Sequence, residues 1–393
     1  MYLHAQGLCD DPRRAVDAAG VSRLIETLGF VQVDTISAVE RAHHHILHSR
    51  LHTYRQPMLA HLLETDRRMF EHWTHDASII PLEWFAQWKP RFRRHARRVR
   101  GSSWWKQTLG SQPNRTIKRV LDRITREGPL LSRDFEETRS AKDAGAGWWN
   151  WKPQKAALEY LWRAGTLSVA RRINFQKVYD LTERVHPEHH ALPEPGKAEH
   201  VHWACMTALD RLGFATASDI AGFWRAIDLE AARAWCAKHV RAGLIVEVNV
   251  QSVDPEQPAR IMVAHSDWRE RLERARSATP PAHLRLLNPF DPLLRDRKRL
   301  KRLMNFDYSF EAFTPAAKRR YGYYVLPILR GEKLIGRADA TMNRSTGVLK
   351  LSTVWWEPKV KATRVIREEL EGAATDLAEL AGGTTCTLPK SLQ

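Results

Sequence analysis

The feature that most constrains the fold of this chain is a pattern of helices followed by strands that occurs twice. In the first copy, apolar periodicity and Ser, Gly and Pro boundary residues predict helices over Thr116–Glu127, Ser132–Glu137 and Lys152–Ala164. Two strands with alternating apolar residues follow, Thr166–Ala170 and Asn174–Leu181. This order is typical of a winged helix, a helix-turn-helix variant whose third helix enters the major groove of DNA.

The second copy follows directly in the chain. Three helices are predicted between His200 and Ala242, and a strand with alternating apolar residues runs from Leu244 to Val250. Both copies place the tripeptide Arg-Ala-Gly where the third helix meets the first strand, at 163–165 and at 241–243. The repeat therefore predicts at least two stacked winged-helix units.

The two ends of the chain have different patterns. Near the N-terminus, Ser22 is the predicted cap of a short helix, Phe30–Ile36 is a candidate strand, and helices are predicted over Glu40–Leu51 and Met58–Phe70. After residue 282 the pattern becomes strand-rich, and a final amphipathic helix covers Ala362–Ala381. These patterns predict an α+β protein with tandem winged helices and a β-rich C-terminal domain.

The net charge of the chain limits the kinds of molecule that it is expected to bind. The chain has 62 Lys and Arg against 45 Asp and Glu, a net charge of +17, which indicates that it binds nucleic acid or an anionic membrane surface.

The four cysteines are far apart in the sequence, which excludes CxxC zinc motifs and a disulfide framework. Because no apolar run reaches about 18 residues and the N-terminus lacks the apolar core of a signal peptide, we expect a soluble, cytoplasmic protein.

Two basic stretches and a tryptophan cluster are candidates for contact with DNA. The stretch Lys89–Lys106 contains Arg94 and Arg98, and Arg171 and Arg172 lie on the first predicted wing, where they could neutralise phosphates. Alternatively, these basic residues lie on a solvated helix face without a binding role. The third group lies just before and at the start of the predicted recognition helix: Trp148, Trp149, Trp151, Lys152 and Lys155. The tryptophan rings could stack on bases, or they could pack in the protein core.

The histidines allow a metal site to be considered. His43, His44, His45 and His48 cluster in one predicted helix, and His72, His75 and Asp76 follow further along the chain. A metal site also needs a third ligand with an ordered outer shell, and the HExxH pattern is absent. The sequence therefore predicts no metal and no cofactor, and favours packing and phosphate contacts for these side chains.

One polar pair is the candidate for chemistry. In an extended Phe30–Thr35 segment, Gln32 and Asp34 share one face while Val31 and Val33 point into the core. An amide beside a carboxylate can hold a water molecule, and the carboxylate can face a sugar cation as it forms. Any half-exposed strand shows the same alternation, so the spacing alone leaves both interpretations open.

Several longer motifs resemble the YcaQ/AlkZ type of bacterial DNA glycosylase. They begin with Leu28-Gly-Phe-Val-Gln-Val-Asp-Thr-Ile36, followed by Glu40-Arg-Ala-His43 and Ser49-Arg50. Further matches extend over nearly the whole chain: Glu71-His-Trp-Thr-His-Asp-Ala77, Gly145-Ala-Gly-Trp-Trp-Asn-Trp151, Phe175-Gln-Lys-Val-Tyr-Asp-Leu-Thr-Glu-Arg184, Leu287-Asn-Pro-Phe-Asp-Pro-Leu293 and Ile335-Gly-Arg-Ala-Asp339.

The resemblance implies three tandem winged helices around duplex DNA and a C-terminal β domain, with boundaries at 1–108, 109–192, 193–280 and 281–393. It implies removal of N7-alkylated purines, including unhooking of interstrand crosslinks, by a monofunctional, monomeric enzyme. Gln32-Val33-Asp34 matches the Gln-aliphatic-Asp motif of the YcaQ-like branch, the one with the broader repair role. Gln32 and Asp34 are then the catalytic residues, and the residues expected to contact DNA are Arg41, His43, Arg50, Arg94, Arg98, Trp148, Trp149, Lys152, Lys155, Arg171 and Arg172.

Two other functions remain open at this point. A transcription regulator of the same fold would bind a preferred undamaged sequence and yield no abasic product. A metal-dependent nuclease using the histidine clusters would lose strand cleavage on addition of chelator. No residue spacing typical of a nuclease supports the second alternative.

Overall fold

The computed structural model describes residues 1–109, 112–135, 153–278 and 283–389, and within the first range it omits the side chains of residues 104–106. These residues form two compact units. Unit 1 contains Met1–Met58, His75–Ala77 and the part of the chain from Ala204 onward, and unit 2 contains Leu59–Thr74 and Ser78–Trp203. The four-domain division expected from the sequence stays a prediction.

Helices and mostly antiparallel strands occur in separate runs along the chain, as is typical of an α+β fold. The helices are α1 (Tyr2–Ala5), α2 (Ala18–Leu28), α3 (Ala42–His48), α4 (Gln56–Glu64), α5 (Phe85–Gly101), α6 (Ser103–Leu109), α7 (Pro113–Glu127), α8 (Pro153–Arg163), α9 (Thr182–Val185), α10 (Pro187–Ala191), α11 (Lys197–Leu212), α12 (Ala217–Trp224), α13 (Leu229–Arg241), α14 (Trp268–Ser277), α15 (Arg297–Met304) and α16 (Arg364–Leu380). The strands are β1 (Val31–Gln32), β2 (Met69–Trp73), β3 (Ala77–Pro81), β4 (Leu130–Leu131), β5 (Leu167–Ile173), β6 (Gln176–Leu181), β7 (Phe214–Ala215), β8 (Ile245–Val250), β9 (Arg260–His265), β10 (Leu284–Leu286), β11 (Val325–Arg330), β12 (Lys333–Asn343), β13 (Val348–Trp356) and β14 (Thr385–Thr387).

The first copy of the repeat folds within unit 2. Helices α7 and α8 precede the antiparallel hairpin of β5 and β6, and the short strand β4 pairs with β6, giving the order β4-β6-β5. The hairpin turns at Asn174 and Phe175, whose φ angles of 48° and 67° are left-handed. This two-residue turn matches the twist of the flanking strands.

The second copy has the same topology, and its part from Ala204 onward belongs to unit 1. Helices α11, α12 and α13 precede the hairpin of β8 and β9, and the sheet order is β7-β9-β8. Thr216 and Asp219 form a reciprocal capping box at the start of α12, and the Asp228 side chain caps α13. The repeated helix–hairpin pattern is therefore present in both predicted segments.

The C-terminal region is strand-rich, as expected. Strands β10 to β14 form one sheet in chain order, antiparallel except for the parallel pair of β13 and β14. One side of α16 is buried through Leu370, Ala374, Leu377 and Ala378. The Thr363 side chain caps this helix, so the helix predicted from residue 362 begins two positions later.

Three local predictions are wrong. The helix predicted to reach Phe70 ends at Glu64, and the chain instead forms the neighbouring strands β2 and β3. The seven-residue strand predicted from Phe30 is only the two-residue β1. The first long helix is capped by Asp17, which accepts from the Gly20 N–H, while Ser22 lies buried inside the helix.

Candidate active site and DNA-contacting residues

The Gln-Val-Asp segment is held between the core of unit 1 and its surface. Gly29, with φ of 86°, ends α2 and leads into β1, a conformation that favours glycine. Val31 and Val33 are buried in the core, as the alternation predicts. The Val33 N–H donates to the Ala77 carbonyl over 2.8 Å, which fixes the backbone of the motif.

Gln32 is more buried than a half-exposed strand would leave it, with 6% of its surface accessible. Its Oε1 lies 3.0 Å from His75 Nε2. Because an amide oxygen only accepts hydrogen bonds, His75 Nε2 carries the proton in this arrangement. The imidazole also packs edge-on against Phe30, with ring centroids 5.5 Å apart. The amide of Gln32 is therefore held by a partner that is itself packed.

Asp34 lies at the end of the motif and is half-buried. Its Oδ1 accepts the Ile36 N–H over 2.8 Å, so the carboxylate turns the chain away from β1. The second carboxylate oxygen has no hydrogen-bond partner among the residues that the structure describes. One oxygen of Asp34 is therefore structural, and the other remains available to a water molecule or a sugar.

A buried polar network lies near the Asp34 carboxylate. Asn288 Nδ2 lies 2.9 Å from the Tyr324 hydroxyl and 3.1 Å from His45 Nδ1, and His45 Nε2 lies 2.9 Å from the Leu286 carbonyl. Burial lowers the pKa of His45 to about 4. Burial also raises the pKa of the Tyr324 hydroxyl, and the nearby charge of Asp34 adds to this shift. These groups form a buried network of neutral side chains in unit 1.

Two cavities of unit 1 border the motif segment. One, of about 600 Å³, is lined by Phe30 and His75 and by the cationic residues Arg225, Arg295, Arg297 and Lys298. The other, of about 580 Å³, is lined by Ser37 and Glu40 and by the cationic residues Arg41, Arg55 and Arg344. Asp219 and Asp296 also line the first cavity, and Glu40 and Glu379 the second, so the cations outnumber the carboxylates in each lining. An excess of positive charge of this kind attracts a DNA backbone.

Several predicted DNA contacts lie at accessible positions. Arg41, just before α3, is partly exposed, and its Nη1 donates to the Thr35 carbonyl over 3.2 Å. Lys155 is exposed on α8 and Arg171 on β5. Arg94 and Arg98 are exposed one turn apart on α5, where desolvation and then the charge of Arg98 lower the pKa of Arg94.

Three residues predicted to contact DNA have partners within the protein; Arg50 and His43 are buried, whereas Arg172 is partly exposed. Arg50 is 1% exposed and forms a two-pronged ion pair with Asp291, at 2.5 and 3.0 Å. His43 is 5% exposed and packs within unit 1. Arg172 forms a two-pronged ion pair with Glu71, at 2.7 and 2.6 Å, close to the turn of the hairpin in unit 2. Contact of these three side chains with DNA therefore stays a prediction, and for Arg50 it would require the ion pair with Asp291 to break.

The predicted Trp148, Trp149 and Lys152 lie outside the described residues, so their placement stays a prediction. Sequence reasoning missed Arg344 and Arg55, which belong to no basic run. Arg344 Nη2 donates to the carbonyls of Ser37 and Val39, at 3.3 and 3.0 Å, and so supports the loop that follows the motif.

The clustered histidines of α3 have packing roles. His44 Nδ1 lies 2.6 Å from the Tyr54 hydroxyl, and His48 stacks on His52. Burial lowers the pKa of His44 to about 4 and that of His48 to about 3. Within the described ranges, no group of three or more His, Cys, Asp or Glu side chains is arranged to hold a metal ion. None of the described helices is both long and apolar enough to cross a membrane.

Comparison with known proteins identifies the family. The model of the AlkZ-like DNA glycosylases matches residues 25–380, which include the motif, both copies of the repeat and strands β10 to β13 of the C-terminal sheet. The chain belongs to the AlkZ-like DNA glycosylase family.

A solved structure agrees with this family in fold. The AlkZ DNA glycosylase of Streptomyces sahachiroi matches 99% of this chain and 97% of its own chain, with a TM-score of 0.57 and 16% identity. The AlkZ-like chain described here is therefore a DNA glycosylase, and its substrate is DNA. The family resemblance noted in the sequence is confirmed.

Proposed function

We propose that this AlkZ-like glycosylase hydrolyses the N-glycosidic bond of N7-alkylated purines in duplex DNA, including purines tied into interstrand crosslinks. The observation that carries the proposal is the Asp34 carboxylate, half-buried beside Gln32 and with one oxygen left unpartnered among the described residues. Such an oxygen can face positive charge that develops on a sugar.

The chemistry follows from the charge of the substrate. Alkylation at N7 makes the purine cationic, so the base leaves without a strong general acid. The remaining tasks are to stabilise the sugar cation and to deliver water. Asp34 performs both, first as an electrostatic partner and then as the base that accepts a proton from the water, which Gln32 positions. This scheme uses no cofactor and no Schiff-base lysine, so the product is an abasic site.

The DNA backbone is held by cations on both sides of the motif. Arg41, Arg55 and Arg344 line one cavity, and Arg94, Arg98, Lys155 and Arg171 are accessible elsewhere. A crosslinked base is tethered to the opposite strand and cannot rotate fully out of the helix. We therefore expect the lesion to be approached from the groove, at an open site, by a monomer acting in the bacterial cytosol.

A substrate panel tests the proposal. Purified protein is incubated, with and without EDTA, with undamaged duplex, N7-methylguanine duplex and a nitrogen-mustard crosslinked duplex, and abasic sites are cleaved by alkali before electrophoresis. We expect abasic sites in both damaged duplexes and none in the undamaged one, with EDTA having no effect.

Other results would replace the proposal. Tight, sequence-specific binding of undamaged DNA with no abasic product would favour a transcription regulator. Strand cleavage that EDTA abolishes would favour a metal-dependent nuclease. Release of a different damaged base, with both N7-alkylated duplexes intact, would retain the glycosylase activity and refute the proposed substrate.

A further inference from the structure

The segment 75–77 contacts the Gln-Val-Asp motif at two successive points. The Ala77 carbonyl accepts the Val33 N–H over 2.8 Å, and His75 Nε2 lies 3.0 Å from Gln32 Oε1. The His75 ring also packs edge-on against Phe30, with a centroid distance of 5.5 Å. One short segment thus contacts residues 30, 32 and 33. His75, which belongs to this segment, lies 43 residues after Gln32 in the sequence.

With the proton of His75 on Nε2, this hydrogen bond determines which end of the Gln32 amide faces outward. A glutamine side chain can turn its amide by half a rotation and exchange its oxygen for its NH2 group at almost no change in shape. With Oε1 accepting from His75, the NH2 group is the end that remains for other partners. Because Gln32 is only 6% exposed, few other partners compete for the oxygen.

We propose that His75 is a positioning residue, which holds the Gln32 amide so that its NH2 group, rather than its oxygen, faces the attacking water. This proposal rests on the proposed function for the role of Gln32. The Gln32 NH2 donates to the water oxygen, and the water directs one proton to Asp34.

The reaction then balances within the site. The water oxygen forms a bond to the anomeric carbon of the sugar, the glycosidic carbon–nitrogen bond breaks, and its electron pair stays on the departing purine and neutralises the N7-alkyl cation. Asp34 accepts the proton. If the amide turned over, its oxygen would compete with Asp34 for the protons of the water, and the water would lose its alignment with the sugar.

The test separates positioning from folding by comparing two replacements of one residue. His75→Leu removes the donor, whereas His75→Gln places an N–H at the position of Nε2. We expect His75→Leu to lower the single-turnover rate on N7-methylguanine duplex by about 10- to 100-fold. DNA affinity, measured by fluorescence anisotropy, and the melting temperature should change little. His75→Gln should recover most of the rate, and His4→Leu, at an exposed histidine of unit 1, serves as the control.

A double-variant cycle asks whether His75 acts through Gln32. In a Gln32→Ala background, His75→Leu should cost little further rate, because the group it orients is gone. If His75→Leu lowers the rate by the same factor in both backgrounds, His75 does not act through Gln32 and the proposal is overturned. A wild-type rate for His75→Leu would overturn it as well.

A spectroscopic measurement tests the contact independently of activity. In protein labelled with ¹⁵N-glutamine, the Gln32 side-chain amide is assigned by its loss in Gln32→Asn. We expect this signal to move in His75→Leu and to remain in place in His4→Leu. An unmoved signal refutes the contact. If the signal moves but neither damaged duplex yields abasic sites, the contact stands and the proposed function fails.

Discussion

Replacing Arg50 by methionine should destabilise unit 1 while leaving the DNA contacts intact. The Arg50 guanidinium donates to Asp291 at 2.5 and 3.0 Å and to the Gln6 carbonyl at 2.9 Å, and both ionic side chains are 1% exposed or less. Methionine fills a similar volume but leaves the Asp291 carboxylate buried without its counter-ion. Removing one partner of such a pair costs about 3–5 kcal/mol of unfolding free energy.

The assay is urea denaturation of the full chain, followed by tryptophan fluorescence. Arg13→Met, at an exposed arginine, is the matched control and should change the unfolding free energy by less than about 0.5 kcal/mol. Adding Asp291→Asn to Arg50→Met removes the unpaired charge. The double variant should therefore lose less unfolding free energy than the losses of Arg50→Met and Asp291→Asn added together, by at least about 1 kcal/mol.

Two results would refute this reasoning. If Arg50→Met lowers the unfolding free energy by less than about 1 kcal/mol, the buried Asp291 carboxylate does not depend on Arg50 as its counter-ion. If Arg50→Met reduces the slope of log DNA affinity against log salt concentration by about one, Arg50 contacts a phosphate, as the sequence predicts.

Three further outcomes follow from the same structure. Arg171→Ala should reduce the slope of log affinity against log salt by about one, whereas Arg172→Ala should leave the slope unchanged and lower the melting temperature; equal slopes for both would contradict this. Burial lowers the pKa of His48 from 6.5 to about 3, so its contribution to stability is complete above pH 6.5 and is lost as the pH falls toward 3, at roughly 1.4 kcal/mol per pH unit. Urea titrations from pH 7 to pH 4 should therefore show a flatter profile for His48→Gln, and an identical profile would refute the assignment. If Arg344 contacts a phosphate, Arg344→Ala should weaken binding of undamaged and damaged duplex by the same factor in anisotropy titrations. A loss confined to damaged DNA would contradict this and would indicate that Arg344 acts through the loop that it supports after the motif.

Local periodicity accounts for what the sequence predicted well. The repeated helices and hairpins depend on apolar spacing and on glycine boundaries such as Gly165 and Gly243, both of which have positive φ angles. Val31 and Val33 are buried for the same reason, since alternation along an extended segment is a property of neighbouring residues.

The contacts that the sequence did not predict share a different cause. Arg50 and Arg172 look like phosphate contacts in sequence, but their partners lie 241 and 101 residues away along the chain. The role of His75 depends in the same way on Gln32, 43 residues away. The helix predicted to Phe70 failed because tertiary pairing of β2 with its neighbour overrode helical periodicity. Contacts of this kind are invisible to local spacing.

The most direct test of the account is the rate of base release by Asp34→Asn. The amide keeps the shape of the side chain and removes both its charge and its capacity to accept a proton from water. Under single-turnover conditions on N7-methylguanine duplex, with Asp11→Asn as an exposed control, we expect Asp34→Asn to be slower by more than about 100-fold at unchanged DNA affinity. A near-normal rate of abasic-site formation by Asp34→Asn would contradict the central claim.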